Sequence, residues 1–142
     1  LGCILRLADE LDISNRRAPA CVLEALEEIC PHIACTEKID ESVNYWRAHQ
    51  FVEEPTLRSC DRNLIIVIPL SSRATNVTAL RLLNELILRN LSRKAREITD
   101  ILRRYYGFEG DIHIILQGTI LQELYRSRYL HYDEVVRYLS DS

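Results

Sequence analysis

Residues 76 to 107 constrain the fold more than any other stretch of the chain. Leu80, Leu83, Ile87, Leu91, Ala95, Ile98, Leu102 and Tyr105 recur every three to four residues, which is the period of one face of an α-helix. Asn76 or Thr75 is available to cap its start, and Gly107 stands where a helix can end in left-handed backbone. At 1.5 Å per residue such a helix runs about 45 Å, as long as a small domain is wide. Its other face carries Arg81, Glu85, Arg89, Arg93, Arg96, Asp100 and Arg103. A row of bases of this kind can serve as a surface for phosphate or for an acidic partner. Here Glu85, Glu97 and Asp100 interleave with the bases, which favours a solvated helix face.

A helix that long needs an apolar surface to lie on, and the segments on either side supply one. Leu64-Ile65-Ile66-Val67-Ile68 is short, continuous, β-branched and bounded by Asn63 and Pro69, the pattern of a buried strand. Asp111 to Leu116 gives another strand beyond Gly107. Ser59-Cys60-Asp61-Arg62-Asn63 is turn chemistry, so a strand over about 48–58 and one over 63–69 are expected to form a hairpin. Val43, Trp46 and Arg47 can close a short helix before it. From Thr119 onward the chain holds Tyr125, Tyr129, Tyr132 and Tyr138 and reads as one or two short helices over about 119–140. Nearer the start, Ile4, Leu7, Ala8 and Leu11 form one helical stripe, and Val22, Leu23, Leu26 and Ile29 form a second, which Pro31 stops.

With 142 residues, 47% of them hydrophobic and 27% charged, the chain can build a core of its own. A formal net charge of −3 gives no reason to expect nucleic acid as a partner. No apolar run approaches the roughly 20 residues that span a bilayer, and no secretory signal is present, so neither a membrane nor export is expected. The five cysteines, Cys3, Cys21, Cys30, Cys35 and Cys60, are odd in number and scattered. They read as small buried hydrophobes in a reducing, cytoplasmic compartment. Cys30 and Cys35 bracket Pro31-His32 at a spacing within zinc-ligand range, but no second pair accompanies them. The first residue is Leu, there is no methionine, and Leu1 to Leu5 reads as uncapped helix interior. The chain is therefore expected to be a fragment of a longer protein.

One short segment carries chemistry: Leu5-Arg6-Leu7-Ala8-Asp9-Glu10-Leu11-Asp12. By spacing alone, Asp9 and Asp12 are two acids about 60° apart around a helix, and Arg6 and Arg16 can pair with them in exposed contacts. The segment, however, resembles the last motif of the HD superfamily, in which a His, a His-Asp doublet and a later Asp hold one or two divalent metals. The late Asp follows a Leu-Ala or Ile-Ala pair, which corresponds to Asp9. The resemblance implies Asp9 as the last metal ligand, Asp12 as a residue behind it, and Arg6, Arg16 and Arg17 as weaker candidates for the substrate. It also implies a divalent metal, Mn, Mg or Fe, in the intact parent, whose bound water would attack a phosphoryl group.

The resemblance continues through Leu11-Asp12-Ile13-Ser14-Asn15-Arg16-Arg17, Tyr45-Trp46-Arg47-Ala48-His49, the strand pair, the long helix ending Ile101-Leu102-Arg103-Arg104-Tyr105-Tyr106-Gly107 and the strand after it. This order is similar to a subgroup of HD-like domains, some joined to Hsp90-type or histidine-kinase-type ATPase modules, and to the C-terminal region of exopolyphosphatase/guanosine pentaphosphatase proteins. The fold it implies is α+β. Residues 1–42 would be the last helices of a truncated HD-type bundle, and 43–142 an accessory lobe with a three-stranded antiparallel sheet packed on the long helix. No His-Asp doublet occurs in the chain. His32, His49 and His113 read as hydrogen-bonded structural histidines, and one carboxylate does not make a divalent site. Alone, the chain is expected to bind no metal and to be inert as a phosphohydrolase. Its expected partners are the rest of its own protein and an ATPase module. No Gly-x-Ser-x-Gly, Gly-rich phosphate loop or His-Glu-x-x-His appears.

Overall fold

The computed structural model describes residues 37–141. Helix α1 (Glu37–His49) leads to strand β1 (Thr56–Cys60) and strand β2 (Asn63–Pro69). Next come helix α2 (Val77–Leu83), a π-helical turn (Asn84–Leu88) and helix α3 (Arg89–Tyr106), which follow one another without a break. Strand β3 (Ile112–Gln117), helix α4 (Thr119–Tyr125), strand β4 (Tyr129–His131) and helix α5 (Tyr132–Asp141) complete the order. The fold is α+β, as expected.

The sheet departs from expectation. It has four strands in the order β1-β2-β3-β4, and it is mixed rather than three-stranded and antiparallel. β1 and β2 form the expected hairpin, with Thr56 opposite Val67 and Cys60 opposite Asn63. Its two-residue turn places Asp61 (φ 47°) and Arg62 (φ 69°) in left-handed backbone, which matches the right-handed twist of the strands it joins. β2 and β3 are parallel, with Ile66 opposite Ile114 and Ile68 opposite Leu116. The long helix is the cause. It carries the chain from the end of β2 back to the level where β2 began, and such a crossover joins parallel strands. β4 then pairs antiparallel with β3 through only three residues, Tyr129 to His131.

The first strand is also shorter than the expected 48–58. Ala48 and His49 end α1, and the next stretch touches the sheet only through a single bridge between Val52 and Leu70. Regular pairing begins at Thr56. All five residues of β1 are exposed, so it is an edge strand held mainly by backbone bonds.

One face of the sheet carries the core. Ile66, Ile68, Ile114, Leu116 and Leu130 are buried under Leu80, Leu83, Ile87, Leu88, Leu91, Ala95 and Ile98 of the long helical run. The apolar stripe from Leu80 to Ile98 is therefore used inside the chain, whereas Tyr105 at its far end is exposed. Asn76 is the helix cap, its side chain accepting from the Ala79 N–H at 2.9 Å. Gly107 ends the helix at φ 66°, with its N–H donating back to the Leu102 carbonyl. In the π turn the Arg89 N–H donates to the Asn84 carbonyl, and the wider turn lets neighbours Leu83 and Asn84, and likewise Ile87 and Leu88, all face inward. Among the described residues no helix is long and apolar enough to cross a membrane. Cys60 is exposed on β1 and so is not the buried hydrophobe expected. The other four cysteines lie outside the described residues.

Candidate functional site

Because β3 is followed at once by α4, β4 and α5, helix α5 is returned to the same side of the sheet as the long helix. Tyr132, Val135 and Leu139 anchor it in the common core. A cleft of about 430 Å³ runs between the two, lined by Arg81, Arg89, Arg93 and Arg96 on one side and Tyr132 and Asp133 on the other. It continues past Ser92 and Arg96 into a smaller hollow of about 170 Å³ that reaches Arg103, Asp111 and His131.

The arginines share this cleft for a helical reason. Residues 89, 93 and 96 fall at i, i+4 and i+7, one face of α3, and Arg81 precedes them by two turns. Among the described residues, four arginines line the cleft with two carboxylates, Glu85 and Asp133, in a chain whose net charge is −3. Like charges at such spacings cost a helix a few tenths of a kcal/mol per pair. Arg93 donates to the Asn90 side chain at 2.6 Å. Among the described residues, Arg89 and Arg96 have no carboxylate within 4.0 Å.

The floor of the cleft is a buried polar pair. The Tyr132 hydroxyl donates to Asn84 Oδ1, and both residues are buried. Burial pushes the Tyr132 phenol above its ordinary range; Arg89 pulls it down, Asp133 raises it and Arg96 lowers it again. The charges of Arg89 and Arg96 are thus felt at the floor. A histidine pair stands beside the smaller hollow: His113 Nδ1 lies 3.2 Å from His131 Nε2. The Asp133 N–H donates to His131 Nδ1 at 3.2 Å, so in neutral His131 the proton sits on Nε2 and is donated to His113.

The residues singled out in the sequence fall differently. Arg6, Asp9, Asp12, Arg16, Arg17 and His32 lie outside the described residues. His49 is the last residue of α1, not part of a turn or strand, and is buried edge-on to Tyr45 with ring centroids 4.7 Å apart. His113 is hydrogen-bonded in β3, as read. Among the described residues no group of three or more His, Cys, Asp or Glu side chains converges to hold a metal, so that part of the chain does not by itself fit the divalent ion the motif implies. The arginine row was visible in the sequence, but its second wall was not. Asn84 gave no signal, and Tyr132 was only one tyrosine among several.

No curated protein matches the chain, and no solved structure does. The HD-CE family model matches residues 1–112. The match takes in the Leu-Arg-Leu-Ala-Asp-Glu-Leu-Asp segment, the hairpin and the whole long helix, well over half of the 142 residues. The chain therefore belongs to the HD-CE family, a family of HD-type domains.

Proposed function

We propose that the full-length protein carrying this chain is an HD-type, metal-dependent phosphohydrolase-like protein acting on a nucleotide or another phosphate ester. This chain supplies Asp9 as one metal ligand and an α+β accessory lobe. The observation that carries the reading is the residue 5–12 segment lying inside a match to an HD-type family. Asp12 would support Asp9, and Arg6, Arg16 and Arg17 would meet the substrate. The chain holds no His-Asp doublet, so on this reading it lacks the other ligands and is inert alone. Five scattered cysteines, odd in number, favour a reducing, cytoplasmic setting. The test is phosphate release by the full-length protein with Mn²⁺ or Mg²⁺, compared with an Asp9→Ala variant. A loss of activity to background is expected, and unchanged activity removes Asp9 from the site.

One observation favours a second reading, a non-catalytic module that passes its state to an ATPase or effector domain. Tyr105 and Tyr106, at the end of the long helix, are 69% and 67% exposed, and Tyr129 and Tyr138 are exposed as well, which offers aromatic surface to a partner. Metal-independent silence of the full-length protein toward phosphate esters, with co-purification of an ATPase module, would select this reading.

A further inference from the structure

We propose that the cleft between α3 and α5 is a binding site for a small ligand bearing a phosphate or pyrophosphate group. Three features converge on an anion of that kind. The first is that arginines outnumber carboxylates among the described residues that line the cleft, in an otherwise acidic chain. The second is that Arg89 and Arg96, with no carboxylate within 4.0 Å among the described residues, are left with their guanidinium forks unused. The third is the floor. Asn84 Oδ1 accepts from Tyr132, which leaves the Asn84 amide N–H groups as donors in a position that is only 8% exposed.

The geometry favours phosphate over a single carboxylate. A guanidinium donates in a planar fork, and a tetrahedral phosphate presents enough oxygens to receive several forks together with the Ser92 hydroxyl and the Asn84 amide. A carboxylate has two oxygens and would leave most of these donors unmatched. Ser140 also lines the cleft, but its hydroxyl donates to the Val136 carbonyl at 2.9 Å and is spoken for. The volume of about 430 Å³ is that of a small-molecule site. On an open helix face the same arginines would be solvated charge; α5 walls them in.

The experiment is titration calorimetry of the full chain with sodium pyrophosphate and, separately, with ATP, at low salt. Saturable binding of pyrophosphate is expected. An Arg89→Ala/Arg96→Ala variant should bind about tenfold or more weakly. Arg89→Lys/Arg96→Lys, which keeps the charge but not the fork, should recover only part of the loss. A control that removes two arginines elsewhere, Arg58→Ala/Arg104→Ala, should stay within about twofold of the parent, because it changes net charge equally but not the cleft. All the substituted arginines are exposed, so circular dichroism should show an intact fold. Pyrophosphate binding should be unchanged by EDTA, which separates this site from a metal-dependent HD site. Tighter binding of ATP than pyrophosphate assigns the group to a nucleotide; equal binding assigns it to the free anion, and both support the site. No binding at millimolar pyrophosphate, or an equal loss in the control, overturns it. So does a poly-glutamate peptide that binds through the same arginines and is not displaced by pyrophosphate.

Discussion

Replacing Tyr132 by Phe removes one oxygen from the floor of the cleft, and the cost can be worked from the contacts. Tyr132 is 6% exposed and Asn84 8%, so the amide oxygen that loses its donor has little access to water in its place. A buried acceptor stranded in this way costs about 1–3 kcal/mol, so Tyr132→Phe is expected to lower unfolding stability by about 2 kcal/mol. Asn84→Leu strands the tyrosine hydroxyl from the other side and should cost a similar amount. The double variant has neither polar atom left to satisfy, so it should be more stable than the sum of the singles predicts, by about 1–2 kcal/mol. Urea unfolding of the four proteins at pH 7 measures this coupling directly. Alkaline pH adds a second reading of the same contact. The folded phenol is raised above its unfolded value by burial, so the folded state holds its proton longer. Stability is then full below pH of about 10 and falls as pH rises from there through the raised value. Tyr125 is shifted the same way, by burial and then by Tyr138, so Tyr132→Phe should make the alkaline decline shallower without abolishing it. Additive single costs, or a Tyr132→Phe penalty under about 0.5 kcal/mol, would refute the buried bridge.

Two further substitutions probe the hairpin that frames β2. A Cβ at Gly110 would sit 2.0 Å from the Arg62 carbonyl oxygen and 2.8 Å from its carbon. Gly110→Ala must therefore push the turn away from β3, straining the Leu64 N–H to Asp111 carbonyl bond and the Asp111 N–H to Asn63 Oδ1 bond, both 2.9 Å. A loss of about 2–3 kcal/mol is expected in urea unfolding, and a variant as stable as the parent would show that the turn gives way freely. Arg62→Gly should act in the opposite sense. It relieves left-handed backbone at φ 69° and loses only the exposed pair with Glu109, for a net gain of about 0.5 kcal/mol; a lower unfolding midpoint would count against strain at that turn.

Much of the local structure was legible because local interactions decide it. The span from the Asn76 cap to Gly107 and strand β2 from Asn63 to Pro69 each rest on neighbours within a few residues and formed where the residues placed them, and the turn read over Ser59 to Asn63 narrowed to Asp61-Arg62. The Leu-Ala-Asp-Glu-Leu-Asp segment named a family in the same way, by side chains that stand next to one another in the chain. Strand pairing is another matter. Whether Ile66 lies beside Ile114 in parallel, or the strands run opposite, depends on the path of the chain from Pro69 to Ile112, and no alternation within either strand records it. Tyr129 to His131 is too short a run for periodicity to register, yet it closes the sheet and turns α5 back over the long helix. That return is what tertiary structure alone decided about the arginines. In the chain they alternate with acids and read as solvated charge. In the fold, Tyr132 reaches Asn84 across the gap, and the same row becomes one wall of a cleft. Periodicity reports which side of a helix is apolar; only packing determines what stands opposite the side that is not.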